Sequence, residues 1–470
     1  MSRQEPARRQ DRTPSFLGDL LSTLTERGRA LLRSTFAGNG DTTLSHQELI
    51  SLGETLLSRR GEATGVALAH SLLAGYAAAS TEDRKEFLKS LADRFGPDHA
   101  RVEAAIEAYR NGTPAAAAIA ELHLAAEPRR QELIRRLNLA PGGTAQLVQM
   151  REALLALLAD DDSLRAVDRD FAHLFASWFN RGFLVLRRID WTTPAHILEK
   201  IIRYEAVHAI ENWDDLRNRL APPDRRCYAF FHPQLVDEPL IFVEVALTKE
   251  IPDAIAPLLD LGRPVIAAQE ATTAVFYSIS NTQKGLGGIS FGNFLIKQVV
   301  EELKQDLPNL QTFVTLSPVP GFAAWLAKER EREDGLFDAG QEEVLKLLDN
   351  PGWWHDAASV ARLRDVILPA AAHYFLVARD GRGRQLDPVA RFHLGNGARL
   401  DQLNFPGDLS EKGLQQSHGL MVNYLYALDE IESNHEAFFE SGTVAAASAI
   451  RKLARAPAKL AAANGKRQAG

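Results

Sequence analysis

The chain has 470 residues, 54 lysines and arginines against 61 aspartates and glutamates, a formal charge of −7 and one cysteine, Cys227. An acidic whole argues against a polyanion binder, and one thiol forms no intramolecular disulfide. A composition of 45% hydrophobic and 24% charged residues is a globular balance that argues against bulk disorder.

Length alone predicts roughly three domains. No apolar run reaches the ~18 residues of a membrane-spanning helix. The nearest, Thr64 to Ala79 and Val366 to Ala378, carry His70 and His373. The opening MSRQEPARRQDRTPSF has four arginines and no apolar stretch, so residues 1–14 read as a solvated arm rather than a secretory signal. The basic, alanine-rich tail over 456–470 carries no lipidation or peroxisomal ending. These features predict a cytoplasmic protein with neither membrane nor nucleic acid as partner.

Residues 15–185 read as successive helices. Leu17, Leu20, Leu21 and Leu24 fall at i, i+3, i+4, i+7, which places one apolar stripe on a helix. Similar stripes run through Leu52–Leu57, Val66–Ala77, Phe87–Phe95, Ala104–Tyr109 and Ala115–Ala126. Breakers and caps separate them: Gly38-Asn-Gly-Asp, Gly96-Pro-Asp, Asn111-Gly-Thr-Pro and Ala140-Pro-Gly-Gly. A helical domain for packing or oligomerisation is expected here.

The composition changes near Phe183. Runs rich in β-branched and aromatic residues at Gly182–Ile189, Ala229–Phe231, Leu240–Thr248, Ala271–Ser280 and Thr312–Ser317 predict strands. With the helices between them they predict a mixed α/β domain over 186–455. The overall expectation is two unequal domains of α+β class.

Between the last two of those strands, Gly285, Gly287, Gly288 and Gly292 precede a helical pattern of Phe291, Phe294, Leu295, Val299, Val300 and Leu303, ended by Pro308. Glycines let backbone N–H groups approach a ligand, and a helix N-terminus favours an anion such as phosphate. The Gly-Lys-Ser/Thr of a Walker loop is missing, and G-x-G-G-x-x-x-G does not fit the dinucleotide fingerprint. An acyl-CoA pyrophosphate and a ligand-free turn both remain open. Gly288-Ile-Ser290-Phe-Gly292 also fits the G-x-S-x-G of serine hydrolases. It stands too far behind the strand for a nucleophile elbow.

Thr315-Leu-Ser317-Pro-Val-Pro-Gly-Phe ends a strand in a turn that two prolines restrict. A hydroxyl at such a rigid end is well placed to meet a ligand, although a turn serine bonded to nearby backbone fits equally. His393 precedes Gly395-Asn-Gly397, which reads as a strand end beside a tight turn. Tyr424 and Tyr426, two apart, read as one buried and one exposed. No H-E-x-x-H, H-x-H or Cys/His spacing occurs, and no lysine stands in a biotin-attachment context, so neither metal nor biotin is expected.

These segments together resemble the malonyl-CoA decarboxylase family. The resemblance rests on Arg225-Arg-Cys-Tyr-Ala-Phe-Phe-His, Glu238-Pro-Leu, Val245-Ala-Leu-Thr and Phe276-Tyr-Ser-Ile-Ser-Asn-Thr-Gln-Lys-Gly-Leu. It continues through Phe294-Leu-Ile-Lys, Leu316-Ser-Pro-Val-Pro-Gly-Phe, Phe392-His-Leu-Gly-Asn-Gly-Ala and Gly419-Leu-Met-Val-Asn-Tyr, covering most of 183–430. It implies a helical N-terminal oligomerisation domain, giving a dimer or tetramer, and a catalytic domain of GNAT acetyltransferase type. It implies conversion of malonyl-CoA to acetyl-CoA and CO2 without a separate cofactor.

By the same resemblance Ser317 and His393 are the catalytic pair and Tyr426 a supporting tyrosine. Gly287, Gly288, Ile289, Ser290, Phe291, Gly292 and Asn293 form the malonyl-CoA loop. Two departures stand out: Ser290 replaces an acidic residue of animal members, and their Ser-Lys-Leu ending is missing, which favours a bacterial-type cytoplasmic enzyme. A GNAT-type acyltransferase and a non-enzymatic malonyl-CoA-binding regulator are the alternatives.

Overall fold

The computed structural model describes residues 43–58, 61–112, 115–289, 295–332 and 335–455. The predicted stripe at Leu17–Leu24, the arm, the tail and residues 290–294 lie outside them. Contacts divide the chain into two compact units, Met1–Phe179 with Gln283–Ile289, and Asn180–Thr282 with Ser290–Gly470. No helix among the described residues is long and apolar enough to cross a membrane.

The first unit is helical: α1 (His46–Ser58), α2 (Glu62–Ala78), α3 (Thr81–Asp93), α4 (His99–Arg110), α5 (Ala115–Ala126), α6 (Arg129–Leu137), α7 (Gly143–Leu157) and α8 (Arg165–Trp178). Polar caps start the helices where the sequence supplies them. The Ser80 hydroxyl accepts from Asp83 N–H, and the Asp98 carboxylate from the N–H groups of Ala100 and Arg101. Leu49, Leu72, Phe87, Phe95, Leu147 and Phe171 each come to 0% exposure in the core. A buried Arg130–Asp170 ion pair, completed by Gln131, fixes α6 against α8.

The glycine-rich segment Gln283–Ile289 belongs to this helical unit. The Arg151 guanidinium on α7 donates to the carbonyls of Gly285 (2.8 Å) and Gly287 (3.0 Å) and to Asp168 on α8 (2.9 Å). A Cβ on Gly285 would overlap the Val148 carbonyl oxygen, so this close approach admits no side chain.

The second unit is built on one mixed sheet of β1 (Val185–Ile189), β2 (Arg225–Phe231), β3 (Pro239–Thr248), β4 (Thr273–Asn281), β5 (Thr312–Thr315), β6 (Ser317–Pro318), β7 (Arg399–Asn404) and β8 (Met421–Leu425). Its order is β1-β2-β3-β4-β5-β8-β6, with β7 also on β8. Pairing is antiparallel except between β4 and β5, which run parallel from Thr273↔Thr312 to Phe276↔Thr315. Helices α9 (Ala195–Tyr204) and α10 (Trp213–Leu220) bury Ile197, Ile201 and Leu216 with Cys227, Ala229 and Phe242 of the sheet. A second cluster joins Val275, Val314, Leu316 and Met421 to Ile255 and Leu258 at α11 (Ala256–Leu259). Cys227 is buried and burial pushes its thiol up, the setting of a structural rather than a reactive cysteine.

An all-helical unit followed by a mixed α/β unit is what the sequence led us to expect. Two strands, β7 and β8, were not anticipated. Arg399–Asn404 is mostly polar and Met421–Leu425 too short to show alternation; β7 is a strand because it pairs with β8, and β8 because it pairs with β5, β6 and β7.

Candidate active site

The parallel pairing of β4 and β5 stops after Thr315, where Leu316 N–H donates to Phe276 carbonyl at 2.9 Å. The chain then turns aside and pairs Ser317 and Pro318 with Val422 and Met421 of β8. β4 runs on to Asn281. The two strands therefore part, and a cavity of about 250 Å3 opens beside the free half of β4. Val243 and Ile279 of the sheet, Leu295 of α12 (Leu295–Asp306) and Phe392 give it apolar walls. Ser317, His393 and Asn281 are its polar side chains beside Tyr277; no lysine, arginine, aspartate or glutamate lines it among the described residues.

His393 reaches this cavity from α16 (Pro388–Gly395), which follows α13 (Phe322–Arg330), α14 (Ala339–Leu345) and α15 (Ala357–Leu376). This corrects the sequence reading, which put the histidine at an exposed strand end. Asp387 caps the helix by accepting from Ala390 N–H, and Pro388 occupies its first turn, an ordinary helix start. Gly395-Asn-Gly397 is the helix end rather than a hairpin. Gly397 has φ +82, and a Cβ there would overlap the Ile431 carbonyl oxygen. The His393 ring is thereby fixed in the last turn, 3% exposed.

Around the ring a chain of polar contacts runs through β5, β6, α16 and β8. His393 Nε2 lies 3.2 Å from Ser317 Oγ, and Ser317 donates to Thr315 Oγ1 at 2.9 Å. On its other side, His393 Nδ1 lies 2.8 Å from the Tyr426 hydroxyl. Tyr424 stacks on the imidazole, ring centroids 4.6 Å apart and planes at 24°. Both tyrosines are buried, at 0% and 2%. The expectation of one buried and one exposed fails because i and i+2 share a face at the end of a strand. Burial holds both phenols well above their usual range, so each stays protonated.

The imidazole is pushed down to about 3 by burial. A helix C-terminus favours a protonated histidine by up to about 2 kcal/mol, but burial without a carboxylate partner outweighs it. His393 is therefore neutral at pH 7, with one nitrogen donating and the other accepting. A Ser317 hydroxyl that donates to Thr315 is matched by an N–H on Nε2 facing Ser317 Oγ and by an Nδ1 that accepts from Tyr426.

The structure thus brings Ser317, His393 and Tyr426 together. Gly287, Gly288 and Ile289 sit on the loop held by Arg151, and Gly288 has φ +76 with open space where a Cβ would stand. Ser290, Phe291, Gly292 and Asn293 lie outside the described residues. Sequence reasoning missed Thr315, Tyr424 and Asp387. Asp387-Pro388 was a legible helix start, and Thr315 and Ser317 sit two apart on one chain face; Tyr424 had no local signal.

The comparisons place the chain among the carboxy-lyases. The family model of the malonyl-CoA decarboxylase C-terminal domain matches residues 182–464, and that of the N-terminal domain residues 95–179. The crystal structure of malonyl-CoA decarboxylase from Rhodopseudomonas palustris is 70% identical, covering 87% of this chain and 100% of that one with a TM-score of 0.85. That from Agrobacterium vitis is 58% identical, covering 86% and 99%, with a TM-score of 0.83. The mitochondrial malonyl-CoA decarboxylase of Anser anser anser is 36% identical over 399 residues, 78% of this chain and 79% of that protein. The chain belongs to the malonyl-CoA decarboxylase family.

Proposed function

We propose that this protein converts malonyl-CoA to acetyl-CoA and CO2, with Ser317 orienting the malonyl carboxylate and His393 protonating the enolate carbon. The observation that carries this reading is the cavity in which Ser317 and His393 meet while no charged side chain among the described residues lines the wall. A carboxylate moved from water into such a site loses solvation, whereas CO2 is neutral and the enolate spreads its charge onto the thioester oxygen. The Cα–carboxyl bond breaks when it stands out of the thioester plane, and one hydrogen bond from Ser317 to the carboxylate fixes that torsion. The electron pair passes to Cα and the carbonyl oxygen, where backbone donors near the strand end stabilise it.

The carbanion then takes the Nε2 proton of the neutral imidazole. Tyr426 keeps its hydrogen bond to Nδ1 as that proton leaves, and the imidazolate left behind takes a proton from solvent at Nε2 before the next turnover. The CoA diphosphate is assigned to Gly287, Gly288 and Ile289 with their neighbours Ser290 to Asn293, a glycine-rich backbone able to donate N–H groups to an anion.

This chemistry is proposed to need neither biotin nor a metal ion. Incubation of the purified protein with malonyl-CoA in a chelating buffer lacking amines tests both points. Equimolar acetyl-CoA and CO2 are expected. Turnover that requires an acceptor amine would make the protein an acyltransferase, binding without turnover would make it a regulator, and loss of activity on chelation would contradict the metal-free route.

Self-association through the helical unit is part of the same proposal. It is supported by α5, whose sequence is nearly all apolar yet leaves Ile119 56% and Leu124 51% exposed. Sedimentation velocity should find a dimer or tetramer, and a monomer at micromolar concentration would refute it. The proposed compartment is the cytoplasm, which cell fractionation tests.

A further inference from the structure

The relay around His393 has a direction, and one residue outside the cavity wall sets it. Thr315 is the last residue of β5, 0% exposed. Its hydroxyl oxygen accepts from Ser317 at 2.9 Å and from the backbone N–H of Tyr424 at 3.2 Å. Its carbonyl accepts from the Asn423 side chain at 2.8 Å, and Asn404 donates in turn to Asn423 at 2.6 Å. Thr315 is thus held from β8 through both its hydroxyl and its backbone carbonyl.

We infer that Thr315 is a positioning residue that fixes the proton polarity of the relay, keeping the Ser317 hydrogen off His393 so that Nε2 remains the donor. The inference rests on the role proposed above for His393. A serine hydroxyl has one hydrogen and, beside an imidazole, two arrangements: it donates to the ring, or accepts from it. Donation to Nε2 would move the ring hydrogen to Nδ1, against Tyr426, and leave no N–H facing the cavity. With substrate bound, the Ser317 hydrogen turns to the malonyl carboxylate. Once CO2 departs that partner is gone, at the moment when the enolate needs the Nε2 proton. Thr315 Oγ1 is then the acceptor that takes the hydrogen back, and Nε2 stays available.

Thr315→Val keeps the β-branched shape on the strand and removes the acceptor. Loss of one uncharged hydrogen bond is expected to lower kcat on the order of 3- to 10-fold with KM for malonyl-CoA within about twofold. Thr315→Ser, which restores the acceptor in a smaller side chain, is expected to return kcat to within about twofold of the parent. Selective 15N-histidine NMR of the full chain reads the tautomer directly, with His393→Gln identifying the signal. Nε2 should be wholly protonated in the parent and in Thr315→Ser, and shared between both nitrogens in Thr315→Val.

An unchanged tautomer in Thr315→Val, or a Thr315→Ser variant as slow as Thr315→Val, would overturn the inference. The NMR result does not depend on which reaction is catalysed. If His393→Gln retained full activity, the assigned role of the histidine would fall while the tautomer result for Thr315 stood by itself.

Discussion

Replacing His393 by alanine should lower kcat by about 10²- to 10⁴-fold, the usual contribution of a positioned proton donor, while KM changes only a few-fold. In the proposed mechanism the loss falls on kcat because the Nε2 proton is needed after the carboxylate has left, not for holding the thioester. Steady-state kinetics with malonyl-CoA read both parameters. The change also removes the partner of Tyr426 and one partner of Ser317, so some stability is lost, about 1–3 kcal/mol for a buried polar group left unpaired. Thermal unfolding separates that cost from the chemistry: a folded variant with near-normal kcat would remove His393 from the mechanism.

Ser317→Ala is expected to reduce kcat by about 10- to 100-fold, the worth of a hydrogen bond to a charged group. KM should rise less, because the contact is proposed to matter most where it holds the scissile bond out of plane. The methyl of alanine leaves Thr315 Oγ1 and the His393 N–H without their shared partner, and no rearrangement of the fold is needed. A rise in KM alone would mean that Ser317 holds the substrate without aligning it.

Much of this architecture could be read from the chain, and the exceptions have physical causes. β2 to β5 announced themselves because β-branched and aromatic runs between turn residues bury on both faces, as at Leu240–Thr248. The helices of the first unit were legible through i, i+3, i+4 stripes and caps such as Ser80 and Asp98. β7 stayed hidden because Arg-Leu-Asp-Gln-Leu-Asn has no apolar alternation; pairing with β8 makes it a strand.

Ser317 could be singled out because two prolines lock its strand end. His393 could be named but not placed, since Gly395-Asn-Gly397 ends a helix as readily as it turns a hairpin. The contacts that give these residues meaning join positions 76 and 33 residues apart in sequence, Ser317 with His393 and His393 with Tyr426. Local patterns carry no trace of such pairings, and the resemblance to a family supplied the residues without their hydrogen-bond directions.

The central claim is that a neutral histidine, in a cavity that no charged side chain among the described residues lines, delivers the proton. Burial places the folded-state value near 3, below the ordinary value of about 6.5. Because the folded form binds its proton more weakly than the unfolded one, this group adds stability above about 6.5 that is lost as pH falls toward 3, by up to about 1.4 kcal/mol per unit. Catalysis has a matching signature, and the dependence of kcat on pH between 5 and 8 is the most direct measurement of it. The account predicts a profile without an imidazole inflection in that range. A single ionisation centred near 6.5, present in the parent and absent in His393→Gln, would contradict it.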